Sequence, residues 1–227
     1  MISYNDVLEI SKFYKYKQYD KVLSLTTKKI PSNNVIDFFQ KCISERFVEE
    51  SDCIKLQIDK KELLVYKKDF LKDLPPYEET IYPIDGYHIT IGYPNVDLIL
   101  PASCIKKIQH ENTILDINTA DYNNIPLSLV KKCMPHIKRF IKQLNTTYIY
   151  HVTTKYNSRF TYNKDIIIHI IYLCFVQNYT TLLEQQLLLM KQFNFTYQDF
   201  NFITPSMIAD YLKLIQKSLN KHEQPSH

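Results

Sequence analysis

Thr80-Ile81-Tyr82-Pro83-Ile84-Asp85-Gly86-Tyr87-His88-Ile89-Thr90-Ile91-Gly92 is the stretch that decides the fold, because it breaks a pattern that is otherwise helical. Tyr87, Ile89 and Ile91 fall on one face and His88, Thr90 and Gly92 on the other, the period of two that belongs to a strand with one buried side. Ile81 and Tyr82 form the run before it. Asp85-Gly86 between the two runs is a tight-turn pair, since both residues tolerate the left-handed backbone that a two-residue hairpin needs. Val96, Leu98 and Leu100 continue the alternation. The reading is a small antiparallel meander from Thr80 to Leu100.

On the N-terminal side, apolar groups at Val7, Leu8, Ile10, Phe13 and Tyr14, then at Tyr19, Val22, Leu23 and Leu25, predict two short helices closed by Pro31. Ser32 and Asn33 are caps for a third, with Val35, Ile36, Phe38, Phe39, Cys42, Ile43 and Phe47 at helical spacing. Asp59 can cap a fourth through Leu63, Leu64, Tyr66, Phe70 and Leu71, stopped by Pro75-Pro76.

On the C-terminal side, a short helix is expected from about Ser103 to His110, and Asp116 to Asn124 reads as a polar loop. Pro126 opens a long helix lined by Leu127, Val130, Cys133, Met134, Ile137, Phe140, Ile141 and Leu144, which Pro135 should kink or split. Thr146–Thr154 pairs with Arg159–Tyr162 as a hairpin. Three helices finish the chain: Asp165 through Tyr179, Thr180 or Thr181 through Phe193, and Thr204-Pro205 through Leu219. The last has Met207, Ile208, Tyr211, Leu212, Leu214 and Ile215 facing inward.

The expected class is therefore α+β, predominantly helical, with a small antiparallel β meander in the middle and a C-terminal helical bundle. At 227 residues the chain suits a single compact domain over 1–227. A subdivision would separate 1–115, helical plus meander, from 125–220, mainly helical, with 221–227 a frayed tail.

Composition narrows the function. Only Gly86 and Gly92 supply glycine, too few for a loop whose backbone amides cradle phosphate. A net charge of +4 from 28 basic and 24 acidic residues falls short of a nucleic-acid-binding signature, and Lys28-Lys29, Lys67-Lys68 and Lys131-Lys132 read as solvated helix faces. The cysteines, Cys42, Cys53, Cys104, Cys133 and Cys174, are dispersed and read as reduced. With no signal-peptide pattern at the start, a soluble protein of a reducing cytoplasm is expected. The apolar run Ile166–Val176 is too short to cross a bilayer.

No constellation of reactive groups stands out. The histidines lack metal-ligand spacing, so no metal and no cofactor are expected. His169 reads as a core or interface histidine. Cys133 and His136 share a helix three residues apart, but no third group orients them, and Cys133 reads as packing. Glu49-Glu50 and Glu78-Glu79 are adjacent rather than opposed across a cleft. No catalytic residues are assigned, and an enzyme is not expected. Phe13-Tyr14-Lys15-Tyr16-Lys17-Gln18-Tyr19 interleaves aromatics with lysine in a way that could stack on single-stranded nucleic acid, against the plainer reading of an amphipathic helix with marginal tyrosines.

Three stretches carry a family resemblance. They are Val35-Ile36-Asp37-Phe38-Phe39-Gln40-Lys41-Cys42-Ile43 with Leu56-Gln57-Ile58-Asp59-Lys60-Lys61-Glu62-Leu63-Leu64; Tyr87-His88-Ile89-Thr90-Ile91-Gly92-Tyr93-Pro94; and Leu183-Glu184-Gln185-Gln186 to Phe193, leading into Tyr197-Gln198-Asp199-Phe200 and Ile203-Thr204-Pro205. In order and character they resemble the T-even-type bacteriophage baseplate hub assembly proteins, the phage base plate protein family. Lys67-Lys68-Asp69-Phe70 stands where many members carry an arginine-containing segment, and paired cysteines are not evident. The resemblance implies a viral protein of the host cytoplasm, or of the virion tail baseplate, acting as a chaperone or minor component with other baseplate hub proteins as partners. It implies no catalytic residues to carry over, while hydropathy argues against a membrane and charge against a nucleic-acid partner. The alternative is a nucleic-acid-associated viral or host accessory factor that uses the Lys/Tyr-rich N-terminal segment.

For an interface, Tyr197, Phe200, Phe202 and Tyr211 are the candidate anchors, because an aromatic linker between helices is costly to leave in water. The competing reading is that these four complete the core.

Overall fold

Ser3 starts the first helix, α1 (Tyr4–Lys15), through a capping box: its Oγ accepts from the Asp6 amide, and the Asp6 carboxylate accepts from the Ser3 amide. The structure is a computed structural model that describes residues 2–46, 53–58, 61–68, 74–96, 101–117, 121–146 and 164–222. α2 (Tyr19–Lys29) follows, and Lys29 returns an ion pair to Asp6 at 2.9 Å. Both helices lie where the periodicity puts them. Ile10 and Val22 are fully buried.

α3 (Val35–Arg46) buries Val35, Ile36, Phe38, Phe39, Cys42 and Ile43 as expected, while Phe47 lies outside the described residues. Its cap is Asn34 rather than Ser32 or Asn33. Asn34 Oδ1 accepts from the amides of Ile36 and Asp37 at 2.9 and 3.0 Å.

Of the helix expected from Asp59 to Leu71, Lys61–Tyr66 is instead strand, and 59, 60 and 69–71 lie outside the described residues. β1 (Cys53–Ile58) and β2 (Lys61–Tyr66) pair antiparallel from Cys53 with Tyr66 to Ile58 with Lys61. Consecutive apolar residues Leu63-Leu64-Val65 fit either period, and strand pairing to Cys53–Ile58 decides it. The family-like Leu-Leu segment is therefore a hairpin arm here.

The meander is present and larger than expected. β3 (Glu79–Ile84), β4 (Tyr87–Gly92), β5 (Ile105–His110) and β6 (Thr113–Asp116) form a four-stranded antiparallel sheet in that order. Asp85 and Gly86 turn between β3 and β4 with φ of 53° and 82°, the geometry their sequence predicts. Pro83 sits on the edge strand, where its missing donor breaks no ladder. A side chain at Gly92 would press within 3.2 Å of the Glu78 carbonyl. Ile89 and Ile91 are buried, as the alternation requires.

The helix expected near Ser103–His110 is a 3-10 turn, Pro101–Cys104, followed by β5. Ile105 and Ile108 mimic helical spacing, but pairing of β5 with both β4 and β6 makes it a central strand. The third run of the meander is not 96–100: Val96 is buried outside any strand, and 97–100 lie outside the described residues. The hairpin expected within 146–162 also lies beyond them, except for Thr146 itself.

α4 (Leu127–Thr146) runs unsplit through Pro135. Its buried stripe is Leu129, Cys133, Ile137, Phe140 and Leu144, whereas Leu127 is exposed and Met134 and Ile141 are half-buried. Phe140 meets Tyr93 edge-on at 5.3 Å, Arg139 pairs with Glu78 at 2.7 Å, and Lys132 pairs with Asp85. These contacts hold α4 to the sheet.

α5 (Lys164–Phe175) is apolar nearly all round and ends before Tyr179. Tyr179 opens α6 (Tyr179–Phe193), whose cap is Asn178 rather than Thr180 or Thr181: its Oδ1 accepts from both their amides. α7 (Pro205–His222) starts at Pro205 as expected; of the tail expected to fray, Lys221 and His222 are helical and 223–227 lie outside the described residues. Ile208 is buried, but Met207 and Leu214 are exposed rather than inward.

Two compact units result: residues 1–29 with 171–227, and residues 30–170. The first joins α1 and α2 to the C-terminal helices; the second holds α3, the strands and α4. The division expected near 116–124 is not the one observed, because the α1 residues Tyr4 and Asn5 bond to α6 and to the loop after it. Among the described residues no helix is long and apolar enough to cross a membrane.

Candidate protein interface

The loop from α6 to α7 is pinned from inside the first unit. α6 ends at Asn194, left-handed at φ 56°, and a 3-10 turn follows at Asp199–Asn201. The Asp199 carboxylate accepts from the Thr196 amide and hydroxyl, at 2.6 and 2.8 Å, and those bonds hold it below the usual carboxylate range. Asn5 of α1 closes the loop: its Nδ2 donates to the Tyr197 carbonyl at 3.1 Å and to Asn201 Oδ1 at 2.9 Å. Gln186 Nε2 donates to its Oδ1 at 3.1 Å. Tyr4 adds its backbone amide, which donates to the Ile203 carbonyl, and its hydroxyl, which lies within donating distance of the Leu182 carbonyl and of Gln185 Oε1. Burial pushes that phenol well above its ordinary range.

The four aromatic candidates divide on this scaffold. Phe200 is fully buried between Tyr4 and Phe195, at 5.6 and 5.9 Å between ring centres. Tyr211, half-buried, packs on Phe193 and Phe195 at 5.2 Å each. Those two complete the core, the competing reading of the sequence. Phe202 is 82% exposed and Tyr197 53%. The structure therefore brings Phe200 and Tyr211 into one aromatic cluster and leaves Phe202 and Tyr197 facing solvent.

The Lys/Tyr segment is engaged within the same unit. Tyr14 stacks on Tyr172 at 5.0 Å and meets Tyr19 edge-on at 5.5 Å, and the Lys15 ammonium lies 5.4 Å from the Tyr179 ring centre. Tyr14 is thus not a free stacking platform. Tyr16 is exposed.

The chain matches no family model, no characterised protein and no solved structure.

Other residues weighed for chemistry take ordinary places. Cys133 is buried and its thiol is pushed up by burial, while His136 stacks on Tyr82 at 3.9 Å, so the two are turned to different neighbours. Burial lowers the His169 imidazole pKa. All five cysteines are free thiols. Among the described residues no group of His, Cys, Asp and Glu could hold a metal ion.

Sequence reading missed Lys106. Its Nζ donates to the Ser103 carbonyl at 3.0 Å, to the Asn33 carbonyl at 3.4 Å and to Asn95 Oδ1, and burial holds the amine down to about 8. Burial pushes the neighbouring Cys104 thiol up to about 12. A lysine whose neighbours space like a helix carries no signal that its head group reaches back to the Asn33 and Ser103 carbonyls.

Proposed function

We propose that this protein acts by contact with other proteins, and that it serves as an assembly protein of a bacteriophage baseplate hub, a chaperone or minor component working in the host cytoplasm or the tail baseplate. The observation that carries the contact reading is Phe202, a large apolar side chain 82% exposed on a loop that Asn5 and Asp199 hold fixed. An exposed ring on a rigid support loses little conformational entropy on binding, which is what a central anchor of an interface needs. Tyr197, earlier in the same loop, offers a second ring with a polar tip. The hub assignment draws on the resemblance of three stretches of sequence and names the partners to try.

Co-expression with baseplate hub proteins, followed by size-exclusion chromatography, tests it. Co-elution is expected with the wild type and is expected to be lost with Phe202→Ser combined with Tyr197→Ser. Neither residue lies in the core, so the variant keeps its fold. Absence of co-elution and of any effect on hub solubility would overturn the hub assignment, and retention of the complex by the double variant would overturn the anchor.

A further inference from the structure

Helix α4 carries Lys131, Lys132, Lys138, Arg139 and Lys142 and has no acidic residue in its 20 positions. The five cations divide by direction. Lys132 and Arg139 pair with Asp85 and Glu78, so they are spent on the sheet. Lys131, Lys138 and Lys142 are exposed and, among the described residues, meet no carboxylate. At about 100° per residue their spacing of seven and four places all three within about 40° of one another, on the side of α4 opposite its buried stripe. The stripe they form is about 16 Å long at 1.5 Å per residue.

Beside this stripe lies a groove of about 460 Å³ whose walls include Pro101, Met134, Ile137 and Ile141, with Lys138 and Lys142 among its lining residues. Met134 and Ile141, both half-buried, lie two turns apart on this side with the fully buried Ile137 between and beneath them, so a second helix would meet Met134 and Ile141. An apolar floor beside a cationic rim is what an amphipathic helix with acidic flanks complements. A phosphate backbone would meet the lysines but has nothing apolar to place against Met134 and Ile141.

We propose that this side of α4 docks an amphipathic helix of a partner protein, about three turns long, with apolar residues in the groove and glutamate or aspartate against Lys138 and Lys142. The occupant is set by charge complementarity: three cations that meet no carboxylate among the described residues stand along one edge of an apolar groove. The site belongs to the unit of residues 30–170 and stands independently of Tyr197 and Phe202.

The test uses the full chain and a labelled 16-residue peptide with leucine at i, i+3, i+4 and i+7 and glutamate on both flanks, read by fluorescence anisotropy. Saturable binding is expected, weakened about tenfold by Lys138→Glu with Lys142→Glu, by glutamine in place of the peptide's glutamates, and by raising salt beyond the screening range. Circular dichroism of the double variant should match wild type, since both lysines are exposed. Ile141→Asp supplies a second variant, and it should weaken the glutamate peptide and the glutamine peptide alike. Equal affinity for the two peptides, or affinity untouched by the lysine changes, overturns the proposal. Tighter binding of a charge-matched single-stranded oligonucleotide through the same lysines overturns it in favour of a phosphate partner. Phe202→Ser should leave peptide binding unchanged, so the failure of one site is distinguishable from the failure of the other.

Discussion

Each unit of this protein holds a polar side chain, Asn5 in one and the half-buried Lys106 in the other, that bonds several elements together, and the two are closed in different ways. In the unit of residues 1–29 and 171–227, Asn5 is 5% exposed, and both its amide hydrogens and its carbonyl oxygen find partners in Tyr197, Asn201 and Gln186. In the unit of residues 30–170, Lys106 also uses its donors, on Ser103, Asn33 and Asn95. Around it, however, Asn34 Nδ2 and Ser103 Oγ are buried and, among the described residues, unpartnered. The difference follows from chemistry. A primary amide both donates and accepts, so a few amides can saturate one another; an ammonium only donates, so it consumes nearby acceptors and serves no neighbouring donor. The first centre fixes a loop that presents two exposed rings. The second ties the start of α3 to the turn before β5 at the cost of two unmet groups.

The contrast breaks most readily at Asn5. Asn5→Leu removes three hydrogen bonds and leaves Gln186, itself buried, and the Tyr197 carbonyl without their partner. A loss of about 3 kcal/mol is expected from the denaturant midpoint, since orphaned buried groups cost more than the bonds themselves contribute. The same variant should loosen the loop and weaken any complex made through Phe202. A loss under about 1 kcal/mol would show that this centre is no tighter than the other.

Lys106 gives the next effect, and its sign depends on pH. The folded chain holds this amine at about 8, below the 10.5 of a free lysine. Between those values the unfolded chain binds more protons than the folded one, so this group makes stability rise with pH through that window. Cys104 opposes it: a thiol held at about 12 keeps its proton in the fold while an unfolded thiol loses it above about 9. Comparing wild type with Lys106→Met isolates the lysine, because Cys104 is common to both. The stability difference, wild type minus variant, should grow by roughly 1–2 kcal/mol from pH 8 to pH 10. A flat difference would mean that the amine is as well solvated as a surface lysine.

What sequence could reveal follows the same physics. β3 and β4 were legible because Tyr87, Ile89 and Ile91 alternate cleanly and Asp85-Gly86 marks the turn. β5 and β6 were not: Ile105-Lys106-Lys107-Ile108 spaces its apolar groups like a helix, and the turn between these strands puts Glu111 at φ 49°, where no glycine announces it. β1 and β2 fail for a related reason, because Leu63-Leu64-Val65 has no period to read. The aromatic candidates Phe200 and Phe202 lie two residues apart, one in a 3-10 turn and the other just past it, and nothing local tells which ring turns inward; contacts with Tyr4 and Phe195 decide. The lysine stripe of α4 was readable from spacing alone once its lack of acids is weighed, yet Lys131-Lys132 as a pair hides it, since the two point to different sides.

The smallest expected effect is the sharpest probe of the unmet groups. Ser103 is fully buried, and its hydroxyl has no partner among the described residues, so the fold carries the desolvation of a polar group without the bond that normally offsets it. Ser103→Ala removes that group and leaves the backbone carbonyl that receives Lys106 in place. The variant should therefore be as stable as wild type or more stable by up to about 1 kcal/mol, the reverse of what loss of a satisfied hydroxyl does. A stability from urea unfolding that falls by more than about 1 kcal/mol would show that Ser103 Oγ is served by an ordered water. The two centres would then be equally closed, one through side chains and the other through solvent.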